Sequence, residues 1–197
     1  MRRSIVLVAL AACGPHPTPH PEIHVTSPST PPASPPQPPT NPCQHALVAL
    51  ADGRLDAWPG ADGCTRADAD RVFGATGKPD EPGLFGKAQD YPARPGAPHG
   101  LEIDYSDRGD VVAILVNYPR LAVPLEQEPG PPASVLPSRL GGDVEQRVWP
   151  ARGLAAHVQQ HADVVTLVAF RKMTLEEYQG GSWSAALQTH EEPMVRP

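Results

Sequence analysis

Leu101-Glu102-Ile103-Asp104-Tyr105, Ser106-Asp107-Arg108-Gly109-Asp110 and Val111-Val112-Ala113-Ile114-Leu115-Val116-Asn117-Tyr118 follow one another without a break. The first five residues alternate apolar and acidic, the period of a strand with one buried and one wet face. The next five are polar with a central glycine and read as a tight turn. The last eight are nearly all apolar and read as a central strand. Together they predict a β-hairpin.

A second copy begins 53 residues later. Gly153-Leu154-Ala155-Ala156-His157-Val158-Gln159-Gln160-His161-Ala162-Asp163-Val164-Val165-Thr166-Leu167-Val168-Ala169 aligns without gaps on residues 100–116. The Gly-Leu start and the Asp-Val-Val triplet fall at the same offsets. Ahead of the first hairpin lies a helix signature. Thr65 is a fitting N-cap, Asp68 stands at the capping-box distance, and Ala69, Val72 and Phe73 share one face. Gly74 or Gly77 ends it, and Pro79 reinforces the stop. Ahead of the second hairpin, Val135-Leu136-Pro137-Ser138-Arg139-Leu140-Gly141-Gly142 is expected to mirror it as a short helix closed by glycine.

The predicted fold is therefore α+β, with two helix-plus-β-hairpin repeats packing helices on an antiparallel sheet. Repeat one covers about 43–127 and includes a further short helix at Ala46–Leu50. A proline-punctuated connector covers about 119–137, repeat two about 133–180, and a polar tail 181–197.

Proline content marks the other boundary. Of 27 prolines in 197 residues, 12 lie between Pro15 and Pro42. Proline fixes φ and removes the backbone donor, so this tract is expected to be a disordered, largely polyproline II tether over 13–42. Fully extended, its 29 residues after Cys13 reach about 90 Å. His16, His20 and His24 recur within it, but the prolines between them forbid the helix that would align them on a metal.

Met1-Arg2-Arg3 is a short basic segment, and Ile5 to Leu10 a short apolar run, too short to span a bilayer. They lead into Leu10-Ala11-Ala12-Cys13. These four residues resemble the lipobox of bacterial lipoproteins. The resemblance implies a signal peptide over 1–12, cleavage before Cys13, lipidation of Cys13, and attachment to the membrane by acyl chains. Gly14, rather than Asp, leans toward the outer membrane. An ordinary secretory signal is the alternative.

Three cysteines are present. If Cys13 carries lipid, Cys43 and Cys64 remain as an even pair in an oxidising compartment and are natural disulfide partners, the alternative being two buried thiols.

The stretch Gly63-Cys64-Thr65-Arg66-Ala67-Asp68-Ala69-Asp70-Arg71-Val72-Phe73-Gly74, followed by Lys78-Pro79, resembles an element of the SmpA/OmlA outer-membrane lipoproteins. A similar element occurs in the β-lactamase inhibitory proteins, which carry tandem helix-and-sheet repeats. Ala69 stands where those families have a larger aliphatic residue, and Ala75-Thr76-Gly77 reads as an insertion. The resemblance implies a helix-and-sheet fold and action by binding other proteins, without catalytic residues. It carries over no binding residue.

The net charge is −6, and −8 once Arg2 and Arg3 are set aside, leaving 14 basic against 22 acidic residues. That argues against nucleic acid and against an electrostatic grip on anionic lipid. Gly74-Ala75-Thr76-Gly77-Lys78-Pro79 lacks the spacing and the hydroxyl of a phosphate loop. No nucleophile elbow is present. Glu102, Asp104, Asp107 and Asp110 lack the regular spacing of a calcium loop. Arg108-Gly109-Asp110 is accounted for by the turn, and Trp58, Trp149 and Trp183 by packing.

The expected function is a membrane-anchored envelope lipoprotein, a non-catalytic module that binds an unidentified envelope protein and uses no cofactor. The alternative is a metal- or small-ligand-binding lipoprotein using His157 and His161, four apart in the second hairpin.

Overall fold

The computed structural model describes residues 34–181, apart from 57, 76–80, 126, 139 and 160–162. The leader, Cys13, most of the proline tract, His161 and the tail beyond Gly181 lie outside the described residues.

Among the described residues eight strands form one antiparallel sheet. They are β1 (Glu81–Pro82), β2 (Lys87–Tyr91), β3 (Leu101–Tyr105), β4 (Val111–Asn117), β5 (Ser134–Pro137), β6 (Val144–Trp149), β7 (Leu154–Gln159) and β8 (Val164–Phe170). Their order is β1-β2-β3-β4-β8-β7-β6-β5. Each half of the chain thus makes a meander, and the two last strands of the halves pair in the middle. Both sheet edges, β1 and β5, end in a proline.

The expected hairpins are present as β3–β4 and β7–β8. In each, the pairing skips one residue at the same step. Asp104 pairs with Ala113 but Tyr105 with Val111. His157 pairs with Thr166 but Val158 with Val164. A bulge at this place sharpens the twist and turns the following side chains onto their proper faces.

Two helices cover one face of the sheet. Helix α1 (Pro42–Ala51) starts with Asn41 as N-cap and Pro42 at its first position, where a missing N–H costs nothing. Helix α2 (Arg66–Phe73) has the expected capping box, Thr65 and Asp68 each bonding the other's backbone. Leu47, Leu50, Val72 and Phe73 pack with Ile103, Ile114, Val116, Leu154 and Leu167 in the larger core. The Cys43–Cys64 disulfide ties the start of α1 to the loop before α2, with Cα atoms 5.5 Å apart and a sequence separation of 21.

The second face carries a smaller cluster of Ala113, Leu115, Val148, Ala155, Val168 and Phe170. It is closed by Met173 and by Tyr178 of the short helix α3 (Leu175–Gly180), whose ring centre lies 5.4 Å from that of Phe170. The helix expected at 135–142 does not form. Its first part is the edge strand β5, which pairs with β6 from Ser134↔Val148 to Pro137↔Glu145. Pro137 would have interrupted that helix, whereas an edge strand tolerates it. Among the described residues, the second half of the sheet therefore lacks the helix that precedes the first hairpin.

The connector is held in place by specific bonds. Glu128 Oε2 accepts the amides of Leu55 and Asp56 at 2.6 and 3.1 Å. Arg152 donates to the carbonyls of Glu128 and Leu55. Trp149 Nε1 donates to the Gly130 carbonyl at 2.9 Å. No helix among the described residues is long and apolar enough to cross a membrane.

Candidate functional site

The polar chemistry of the described residues gathers in three places. The first is the seam where the proline tract meets α1 and α2. Asp68 Oδ1 accepts from Asn41 Nδ2 at 2.8 Å and from Gln44 Nε2 at 2.9 Å. Its Oδ2 accepts from the amide and hydroxyl of Thr65. Burial alone would raise the Asp68 pKa. The hydrogen bonds from Asn41, Gln44 and Thr65 outweigh it and hold the carboxyl below the usual range.

The tract itself continues this seam. Gln37 donates its amide to the Arg71 carbonyl at 2.7 Å. Thr40 donates both amide and hydroxyl to Gln44 Oε1 at 2.7 and 3.0 Å. The tether expected over 13–42 therefore does not run free to Pro42: its last residues lie along α2. Between them and the helix is a cleft of about 490 Å³, lined in part by Ser34, Gln37, Gln44, Asp68, Asp70 and Arg71.

The second place lies under α2. Tyr91 donates its hydroxyl to Asp70 Oδ1 at 2.7 Å, and the hydroxyls of Tyr91 and Tyr105 are also 2.7 Å apart. Arg66 stands 3.7 Å from Asp70 Oδ2 and 5.8 Å above the Tyr105 ring. Burial, then the neighbouring Tyr105 and Asp70, push the Tyr91 hydroxyl far above the ordinary tyrosine value, so it remains protonated. The network pins α2 to β2 and β3.

The third is a polar row across the second face. Asn117, Thr166, His157 and Gln146 are cross-strand neighbours on four adjacent strands. Thr166 Oγ1 donates to Asn117 Oδ1 at 3.1 Å. His157 Nδ1 lies 2.6 Å from Ser138 Oγ, which also accepts the Leu140 amide at 3.1 Å. Gln146 Nε2 stands 3.4 Å from His157 Nε2. Ser138 and His157 are each only 2% exposed. This is a buried pin between the loop after β5 and the middle of β7.

The residues singled out in the sequence are dispersed. Cys43 and Cys64 are bonded to each other, while Cys13 and His161 lie outside the described residues. His157 is engaged by Ser138, and no cluster of three metal-ligating side chains occurs among the described residues. Three of the four acidic residues of the first hairpin have separate partners. Asp107 lies 3.3 Å from Lys87, Asp110 closes the turn through Ser106, and Asp104 is fully buried. Asp104 Oδ2 accepts the Phe85 amide at 2.7 Å, and burial raises its pKa against the pull of the Phe85 and Leu84 amides. Trp58 Nε1 donates to the Gly153 carbonyl at 3.2 Å, as a packing residue would.

Sequence reasoning missed Gln37, Asp70, Tyr91, Ser138 and Gln146. Each is a polar residue in an unremarkable local context that also has a partner at least 11 residues away.

No protein-family model matches the chain, and no curated protein does. Among solved structures it is similar to a DUF4309 family protein, YjgB, from Bacillus subtilis subsp. subtilis str. 168. The identity is 17%, the match covers 66% of this chain and 96% of that one, and the TM-score is 0.41.

Proposed function

We propose that the chain is a lipid-anchored lipoprotein of the bacterial envelope whose α+β domain is a non-catalytic, protein-binding module. The observation that carries the reading is the distribution of the cysteines. Cys43 and Cys64 bond to each other, which leaves Cys13 as the one cysteine outside the bridge, at the end of Leu10-Ala11-Ala12-Cys13. A disulfide fits an oxidising compartment, and the acidic net charge fits a protein partner better than nucleic acid.

The domain is read as a duplicated hairpin. The 53-residue offset in sequence coincides with the offset of the strands β3–β4 and β7–β8 and with that of their bulges. The helical part of the repeat belongs to the first half alone.

The test is fractionation of cells expressing the full chain or its Cys13→Ser variant, with labelled palmitate supplied. The expected result is label and membrane association for the parent and neither for the variant. A variant that stays membrane-bound overturns the anchoring reading. Cross-linking in the envelope followed by purification is expected to recover one stoichiometric protein partner. Turnover of a substrate by the purified domain would overturn the non-catalytic reading.

A further inference from the structure

The residues of the proline tract that lie along α2 are tied at both ends and little buried between. Near its outer end, the Gln37 amide caps the Arg71 carbonyl. At the inner end, Asn41 Nδ2 bonds Asp68 while its Oδ1 accepts the Gln44 amide at 2.9 Å. Thr40 adds its two bonds to Gln44 Oε1. The segment therefore runs from the C-terminal end of α2 toward its N-terminal end.

The contact at the outer end is fitted. The last turn of a helix leaves its carbonyls without internal partners. In α2, Asp70 is capped by the Gly74 amide, Val72 by Arg94 Nη2 at 2.8 Å, and Arg71 by Gln37. Gly74 sits at φ +85°, and a Cβ there would come within 3.1 Å of the Ser34 carbonyl oxygen and 3.3 Å of Pro36. Yet Ser34 to Pro38, and Thr40, are exposed. A segment held by a few polar bonds with almost no apolar burial belongs to the part of a structure that opens first.

Just beyond it the character of the chain changes. Pro42 starts α1, Leu47 and Leu50 are buried, and Cys43 is covalently bonded to Cys64. We propose that residues 34–41 are a releasable strap. A load arriving from the N-terminal side peels it from α2 in sequence, first Gln37, then Thr40 and Asn41, and the Cys43–Cys64 bond stops the peeling before α1 is drawn out. Release opens the cleft between strap and helix, lined on the α2 side in part by Asp68 and Arg71. The device needs only a load on the chain ahead of Ser34 and does not depend on lipidation.

The test is to pull the full chain between its two ends in an optical trap. The expected record shows a first, reversible step of at most about 29 Å, the full reach of the eight strap residues at roughly 3.3–3.6 Å each, before the main unfolding step. Gln37→Pro removes the amide donor in a context already rich in proline. It is expected to lower the force of the first step and leave the main step unchanged. In the same variant the Thr40 amide should exchange with solvent roughly fivefold faster, the change expected for one lost hydrogen bond. Departure of the strap only together with the main step, or an unchanged first step in Gln37→Pro, overturns the strap. Paired Cys43→Ser and Cys64→Ser substitutions are expected to lengthen the first step as α1 follows. A first step of unchanged length, with the main step still present, overturns the assignment of the disulfide as the stop.

Discussion

Asp104 and His157 occupy the same place in the two hairpins, each the last residue before the pairing skips a position on the partner strand. Both are buried polar residues on the second face of the sheet. Their partners differ. Asp104 takes the Phe85 amide from the turn after β1, and His157 takes the Ser138 hydroxyl from the loop after β5. Each half thus uses its residue before the bulge to hold down the turn or loop that follows its own edge strand.

Asp104 gives a pH dependence of known sign. Burial raises its pKa in the folded state, so the folded protein binds the proton more tightly than the unfolded chain does. Its contribution to stability is fully present below the unfolded value near pH 4 and is lost as pH rises through the folded one. Asp104→Asn is expected to be more stable than the parent at pH 7, with the advantage shrinking toward pH 4. Urea midpoints of both proteins across that range check it, and a variant less stable at pH 7 contradicts it.

Asp68 has the opposite sign. Its hydrogen bonds lower the folded pKa despite burial, so its contribution is present above the unfolded value and is lost as pH falls through the folded one. Asp68→Ala removes the capping box and frees Asn41 and Gln44. A loss of about 1–3 kcal/mol at pH 7 is expected, narrowing below about pH 4. Denaturation of the pair at pH 7 and pH 3 measures it.

Gly153 joins the turn Pro150–Arg152 to β7 at φ +66°, and a Cβ there would collide with the Phe170 carbonyl oxygen. Gly153→Ala is expected to cost at least ~2 kcal/mol, from the left-handed backbone together with the displaced strand. Thermal melting reads it. Gly63, with a similar φ but open space around it, is the control, where alanine should cost only the backbone part.

The disulfide closes a loop of about 20 residues, and in the chain-entropy model its loss costs roughly 3 kcal/mol. Cys43→Ser, Cys64→Ser and reduction of the parent are each expected to show this loss, and the double variant no more than a single one. Additive losses would mean that the cysteines act separately.

The hairpin at 101–118, the capping box at Thr65 and Asp68, and the Cys43–Cys64 pairing were legible because each rests on a local period or a simple count. The strands β2 and β6 were not. Lys87-Ala88-Gln89-Asp90-Tyr91 and Val144-Glu145-Gln146-Arg147-Val148-Trp149 bury Gln89 and Gln146, which break the apolar alternation. Those amides are tolerated because distant groups meet them, Asp70 for Gln89 and His157 for Gln146. Val135-Leu136 with a following glycine pair read as a helix end because its strand partner, β6, had itself gone unseen. The ordered end of the proline tract was hidden for the same reason. Composition registers the prolines, but the Arg71 carbonyl that receives Gln37 is set by the fold.

The two prolines at the margins of the sheet have a consequence for life at high density. An exposed edge strand is a template on which another chain can add. Among the described residues the margins are two and four residues long, and each ends in Pro82 or Pro137, which has no N–H to offer a newcomer. Copies that meet at high concentration can then touch along these borders without zipping into fibres.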